Sequence, residues 1–163
     1  MSTPSGELLY LEDLRPGQRF VTGSLTVAEA EILRFAREYD PQPFHLDAAA
    51  ARQSLFRGLA GSGWHTAALT MRLMVTSGPH IAGGILGVGG EISWTVPMRP
   101  GDTLQVHSEI VDVVPSRSRP ERGVVTIKNE TRNQRGEVIQ TFTAKLIVPV
   151  RPPVITGSSE RSK

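Results

Sequence analysis

The chain has 163 residues, a length for one domain with an ordinary core, and its 39% apolar and 21% charged fractions are globular rather than disordered or fibrous. A net charge of +2 without a basic run, and only 6% aromatics, argue against a nucleic-acid surface. The absence of cysteine excludes disulfides, thiolate metal sites and a cysteine nucleophile.

No charged-then-apolar leader opens the chain, and no apolar run reaches the roughly 18 residues that span a bilayer, so a soluble cytoplasmic protein is expected. Residues 1–7 read as a flexible N-terminus, 8–150 as a single domain, and 151–163, with Pro152, Pro153 and a Gly-Ser-Ser run, as a disordered tail. Leu14-Arg15-Pro16-Gly17 marks a turn and Gln18 to Leu25 a short strand. Thr26-Val27-Ala28-Glu29 fits a capping box. A helix follows, with Ala28, Ile32, Phe35, Ala36 and Tyr39 on one apolar face, and Pro41 ends it.

Tyr39-Asp40-Pro41-Gln42-Pro43-Phe44-His45 comes next. Two prolines deny it helix hydrogen bonds and push Asp40 and Gln42 out of the α region, so a stiff non-helical loop is expected. Extended, it would separate Asp40 from His45 by roughly 15 Å; bent, it would set acid and imidazole across one small molecule. Taken alone, the residues favour a proline-stiffened connector with a solvated Asp and an incidental His.

Asp47 can cap a short alanine helix over 48–53. A glycine-permissive loop runs to Gly61, and Ser62 can cap a helix from Gly63 to Thr76. This helix is apolar nearly all round (Trp64, Ala67, Leu69, Met71, Leu73, Met74), which implies burial on most sides. Four strands follow. The first has a glycine-rich start at 83–90 and then Ile92, Trp94 and Val96 on one face. Leu104, Val106 and Ile110 mark the second, Val125 and Ile127 the third, and Phe142, Ala144, Leu146 and Val148 the fourth. One helix against one curved antiparallel sheet is the economical α+β arrangement.

The glycines at 83–90 match no phosphate-binding loop, and they read as close packing or a sheet bend. His45, His65, His80 and His107 lack metal-ligand spacing, so no metal site is expected. His65 reads as a packed histidine. Gly61-Ser62-Gly63 lacks the spacing of a nucleophile elbow. What remains is Asp40 and His45 opposite the helix start at Gly63, whose free N–H groups can hold a polarised carbonyl. That combination suits proton transfer beside a thioester carbonyl, adding or removing water across a conjugated double bond.

The Tyr39–His45 stretch, the glycine-opened helix and the order of elements resemble MaoC-like dehydratases, a branch of the hot-dog fold that includes (R)-specific enoyl-CoA hydratases. The family motif is Gly-Asp-x-Asn-Pro-x-His; Asp40, Pro43 and His45 match it, while Tyr39 and Gln42 stand at its glycine and asparagine. The run Trp94 to Asp102, with its Pro-Gly-Asp turn, is also similar to the family's hairpin. The resemblance implies that Asp40 and His45 hold the catalytic water and that the Gly63 N–H receives the thioester oxygen. Phe44, Ser62 and Trp64 would line the substrate. No cofactor is implied beyond the CoA thioester substrate itself, and a homodimer or higher homo-oligomer is expected. Arg52, Arg57 and Arg99 read first as solvated surface arginines, with contact to CoA phosphates as the alternative for each. Met71 stands where (R)-specific hydratases carry a serine. A hot-dog thioesterase and a non-catalytic acyl-thioester-binding protein remain the alternatives.

Overall fold

A computed structural model describes residues 6–153. The expected tail from 154 onward and residues 1–5 lie outside that span. Arg151 is tied down: its N–H donates to Glu12, its guanidinium pairs with Asp13 Oδ2 at 2.7 Å, and it lies 4.4 Å over the Tyr10 ring.

A 3-10 turn at Leu11–Asp13 precedes β1 (Arg19–Thr26), α1 (Glu29–Tyr39), the single turn α2 (Pro43–Leu46), α3 (Ala48–Gln53) and α4 (Gly63–Ser77). Four strands complete the chain: β2 (Leu86–Trp94), β3 (Thr103–Pro115), β4 (Arg122–Arg132) and β5 (Val138–Pro149). They form one five-stranded antiparallel sheet in the order β1-β3-β4-β5-β2. With α4 packed on one face of this sheet, the architecture is the α+β hot-dog fold. No helix among the described residues is long and apolar enough to cross a membrane.

Strand alternation builds the core. Leu104, Val106 and Ile110 of β3 turn inward with Val125 and Ile127 of β4. Under α4, Leu69, Leu73 and Met74 meet Leu104, Val106 and Ile139. A second cluster joins Leu9, Leu11 and Leu14 to Phe20, Ile110 and Val148. The N-terminal segment thereby packs against the sheet.

Two expectations change. The cap of α1 is Ala28, not Thr26: the Glu31 carboxylate accepts the Ala28 N–H at 3.2 Å. The Thr26 hydroxyl is engaged by Thr103 at 2.8 Å, because strand pairing carries β1 through Thr26. Second, α4 is not covered on most sides. Trp64, Met71 and Val75 are exposed, whereas Thr66 and Thr70 are buried. The threonines are tolerated inside because their hydroxyls are satisfied. Thr66 donates to Ser62 O, Thr70 donates to Thr66 O, and Thr70 also meets Thr131 (2.6 Å) and Gln140 (3.0 Å).

Of the β2 glycines, Gly90 serves close approach. A Cβ on Gly90 would lie 2.7 Å from both Phe142 Cε2 and Thr143 O of β5. Backbone on that side cannot yield without breaking the β2–β5 ladder. Gly90→Ala should therefore destabilise the fold by about 1–3 kcal/mol, read as a lowered urea-unfolding midpoint with an unchanged slope.

Candidate active site

The end of α1 and the start of α4 meet around Asp40 and His45. Asp40 caps α1, its N–H donating to Ala36 O at 3.0 Å. The Gln42 N–H then donates to Asp40 O at 2.7 Å, and the chain enters α2 with Pro43 in its first turn. The expected non-helical loop is thus half helical. Proline is welcome at a first helical position, where its missing N–H has no partner to lose. That turn brings His45 Nε2 to 3.4 Å from Asp40 Oδ2, in place of an extended span.

Both groups are held from behind. His45 is buried, and its Nδ1 lies 2.6 Å from Ala60 O. A carbonyl only accepts, so Nδ1 carries a proton, and Nε2 on the other side of the ring faces Asp40 Oδ2. The Phe44 ring meets His45 edge-on at 4.6 Å. Asp40 Oδ2 accepts the Ser62 hydroxyl at 2.6 Å, and Oδ1 accepts Gln42 Nε2 at 2.7 Å. Burial pushes the Asp40 carboxyl up; the Ser62 and Gln42 hydrogen bonds and nearby His45 together outweigh it and hold it below the usual carboxylate range.

The Ser62 hydroxyl also accepts the Trp64 N–H at 3.2 Å, capping α4. It therefore stands behind the carboxylate and almost fully buried, rather than in the cavity where a substrate contact is expected. Gly63 opens the helix. Among the described residues its N–H has no hydrogen-bond partner, as a first-turn donor would not. A Cβ at Gly63 would sit 2.6 Å from the Trp94 indole, so glycine is required here by packing.

Asp40, His45 and Gly63 line one cavity of about 370 Å³, with Phe44, Phe56, Trp64 and Trp94 as aromatic walls. The two tryptophans meet edge to face at 5.3 Å, and Trp94 Nε1 donates to buried Gln140 Oε1 at 2.9 Å. Roughly two turns further along α4, Met71 and Met74 wall a second, apolar cavity of about 280 Å³ with Ile85, Phe142 and Leu146.

The other candidates separate clearly. Arg99 does not face solvent phosphate chemistry: its guanidinium is spent on the carbonyls of Phe56, Gly58 and Leu59. Arg52 and Arg57 are exposed. Tyr39 is exposed and packs on Phe35 at 5.0 Å. His65 is stacked on Phe35 at 4.6 Å, and burial lowers its pKa. Among the described residues, no group of three or more His, Asp or Glu is arranged to hold a metal ion. Phe56, Ala60, Trp94 and Gln140 were not singled out as site residues in the sequence. Only Trp94 carried a signal, sharing a strand face with Ile92.

Comparison with known proteins agrees with the fold. The sequence profile of the "MaoC like domain" matches residues 13–134. The crystal structure of a MaoC-like dehydratase from Rhodospirillum rubrum superposes with a TM-score of 0.88 at 57% identity, covering 89% of this chain and 99% of that one. Protein YdeM of Bacillus subtilis is 32% identical over 88% of this chain and 99% of its own length. The 3-hydroxybutyryl-CoA dehydratase of Methylorubrum extorquens is 26% identical over 71% of this chain and 73% of its own.

The ion state of Asp40 can be tested directly. Its folded-state pKa lies below the ordinary carboxylate value, so its contribution to stability is present above that value and lost as pH falls through the lower folded one. Ser62→Ala removes one of the lowering hydrogen bonds. The Asp40 carboxyl carbon should then titrate at higher pH by NMR, and acid unfolding should begin at higher pH than in the wild type.

Proposed function

The chain belongs to the family of MaoC-like domains, and on that premise we propose that it is an acyl dehydratase or enoyl-thioester hydratase, adding water reversibly to a 2-enoyl thioester such as an enoyl-CoA. One observation carries the reading: a carboxylate and an imidazole nitrogen, 3.4 Å apart, share a cavity with a helix N-terminal N–H that has no partner among the described residues. The separation is long for a direct hydrogen bond, yet a water above the pair lies within bonding distance of both atoms.

In hydration, that water gives a proton to the Asp40/His45 pair as its oxygen bonds to the β-carbon. The electron pair of the double bond moves onto the thioester as an enolate, whose oxygen takes the Gly63 N–H. Losing a donor of this kind costs about 10²–10³ in rate. The proton then goes to the α-carbon, and the enolate collapses. Dehydration reverses each step. The reaction combines proton transfer with making or breaking one C–O bond, without oxidation or reduction, and needs no cofactor besides the thioester. Phe44, Phe56, Trp64 and Trp94 keep bulk water from the pair, and the apolar cavity at Met71 and Met74 suits an alkyl tail. A cytoplasmic location belongs to the same proposal.

A homodimer also belongs to it. β2 is a sheet edge, Leu86 and Val88 on it are exposed, and so are Trp64, Met71 and Val75 of α4. An apolar open edge calls for a partner. Sedimentation should give twice the 17.7 kDa chain mass, and Val88→Lys should shift it toward the monomer.

Activity is tested with short, branched and long enoyl-CoA thioesters, read as loss of conjugated absorbance. Asp40→Asn and His45→Gln should each lower kcat by about 10²–10⁴ without changing the far-UV spectrum. Both variants keeping full activity would sink the assignment. Release of free thiol would identify a thioesterase, and ligand-raised melting without turnover a binding protein.

A further inference from the structure

The segment between α3 and α4 has no regular structure over residues 54–60, yet three of its carbonyls converge on one side chain. Arg99 Nη1 donates to Gly58 O at 2.8 Å and Leu59 O at 3.1 Å, and Nη2 donates to Phe56 O. Among the described residues Arg99 makes no ion pair. A guanidinium spent wholly on neutral carbonyls acts through its fork geometry, as a clamp.

The segment needs one. Arg57, between the clamped carbonyls, has φ of 55°, the one positive φ at a non-glycine among the described residues. L side chains disfavour that conformation, and it persists only where surrounding contacts hold it. The base of the clamp is rigid. The Arg99 N–H donates to Asp102 Oδ2 at 2.8 Å, Asp102 is buried, and the neighbouring Met98 O accepts the Gly61 N–H at 2.8 Å. One residue beyond the clamped carbonyls is Ala60, whose oxygen receives His45 Nδ1.

We propose that Arg99 is a positioning residue for His45: by gathering the carbonyls of Phe56, Gly58 and Leu59 it sets the Ala60 carbonyl against Nδ1, and so keeps Nε2 unprotonated and turned to Asp40. Its effect on rate rests on the hydratase reading; its effect on the imidazole does not.

The test reads the imidazole itself. Long-range proton–nitrogen NMR of protein labelled with ¹⁵N-histidine, at slightly alkaline pH, distinguishes the two neutral tautomers, and His45→Gln assigns the signal. Wild-type His45 should show the Nδ1–H form alone. In Arg99→Met that signature should be lost to an averaged or Nε2–H pattern, with His65, His80 and His107 unchanged and circular dichroism retained. Arg99→Lys keeps charge and stem, but one ammonium cannot span three carbonyls, so it should fall between.

A folded Arg99→Met with the wild-type His45 pattern overturns the proposal. If Arg99→Met does not fold, the wild-type pattern in Arg99→Lys does so. Where a thioester is turned over, kcat should fall about 10²-fold with KM near wild type. Absence of turnover by the wild-type protein would remove the hydratase reading and leave the tautomer result to decide this one.

Discussion

The connection between α3 and α4 is held against the end of α1 by two hydrogen bonds, His45 Nδ1 to Ala60 O and Ser62 Oγ to Asp40 Oδ2. Each of these sites faces two ways. Ala60 also donates its N–H to Phe44 O, and Ser62 also caps α4. One short run of chain therefore orients the imidazole, orients the carboxylate and begins the helix whose first N–H is free. If that run moved by an ångström, all three would change together. Backbone carbonyls and caps provide this rigidity without further charge, which leaves the cavity's polarity to Asp40 and His45.

The burial of α4 is inverted relative to its composition. Thr66 and Thr70 face the sheet, and Trp64, Met71 and Val75 face out. A buried polar chain runs from Thr131 through Thr70 and Gln140 to Trp94. Such a network is costly unless every member is paired, and these are. It fixes the Trp94 indole, which lies against Gly63 and forces glycine there. Core polarity under the helix thus reaches the cavity wall.

Features set by neighbours in sequence were legible; features set by distant partners were not. Asp47 and Ser62 act through hydrogen bonds to residues two and three positions on, and both helix starts follow from the residues alone. Alternation placed the inward residues of β3 and β4 for the same reason. The turn at Pro43–Leu46 was missed because proline was read as a breaker, when at a first helical position it is a starter. The Ser62 hydrogen bond to Asp40 spans 22 residues and the Arg99 clamp on Phe56 spans 43, and no local pattern encodes either. The exposed side of α4 was hidden differently. A helix apolar all round does not say which face the sheet covers, and buried threonines look like surface until their partners on β4 and β5 are known.

The glutamine at position 42 is less of a departure than the bare motif implies. Its backbone N–H closes the turn onto Asp40 O, and its longer side chain still delivers Nε2 to Asp40 Oδ1 at 2.7 Å. What the site needs there is a donor to one carboxylate oxygen, and glutamine supplies it. With Oδ1 taken by Gln42 and one side of Oδ2 by Ser62, Asp40 turns only the remaining side of Oδ2 toward His45 Nε2. Under the proposed reaction, water is therefore held at one point, on one side of a substrate whose thioester oxygen is anchored at Gly63. A planar enoyl group fixed in that way presents one face to the water, so the pinning of Asp40 and His45 from behind also makes the new hydroxyl carbon a single configuration.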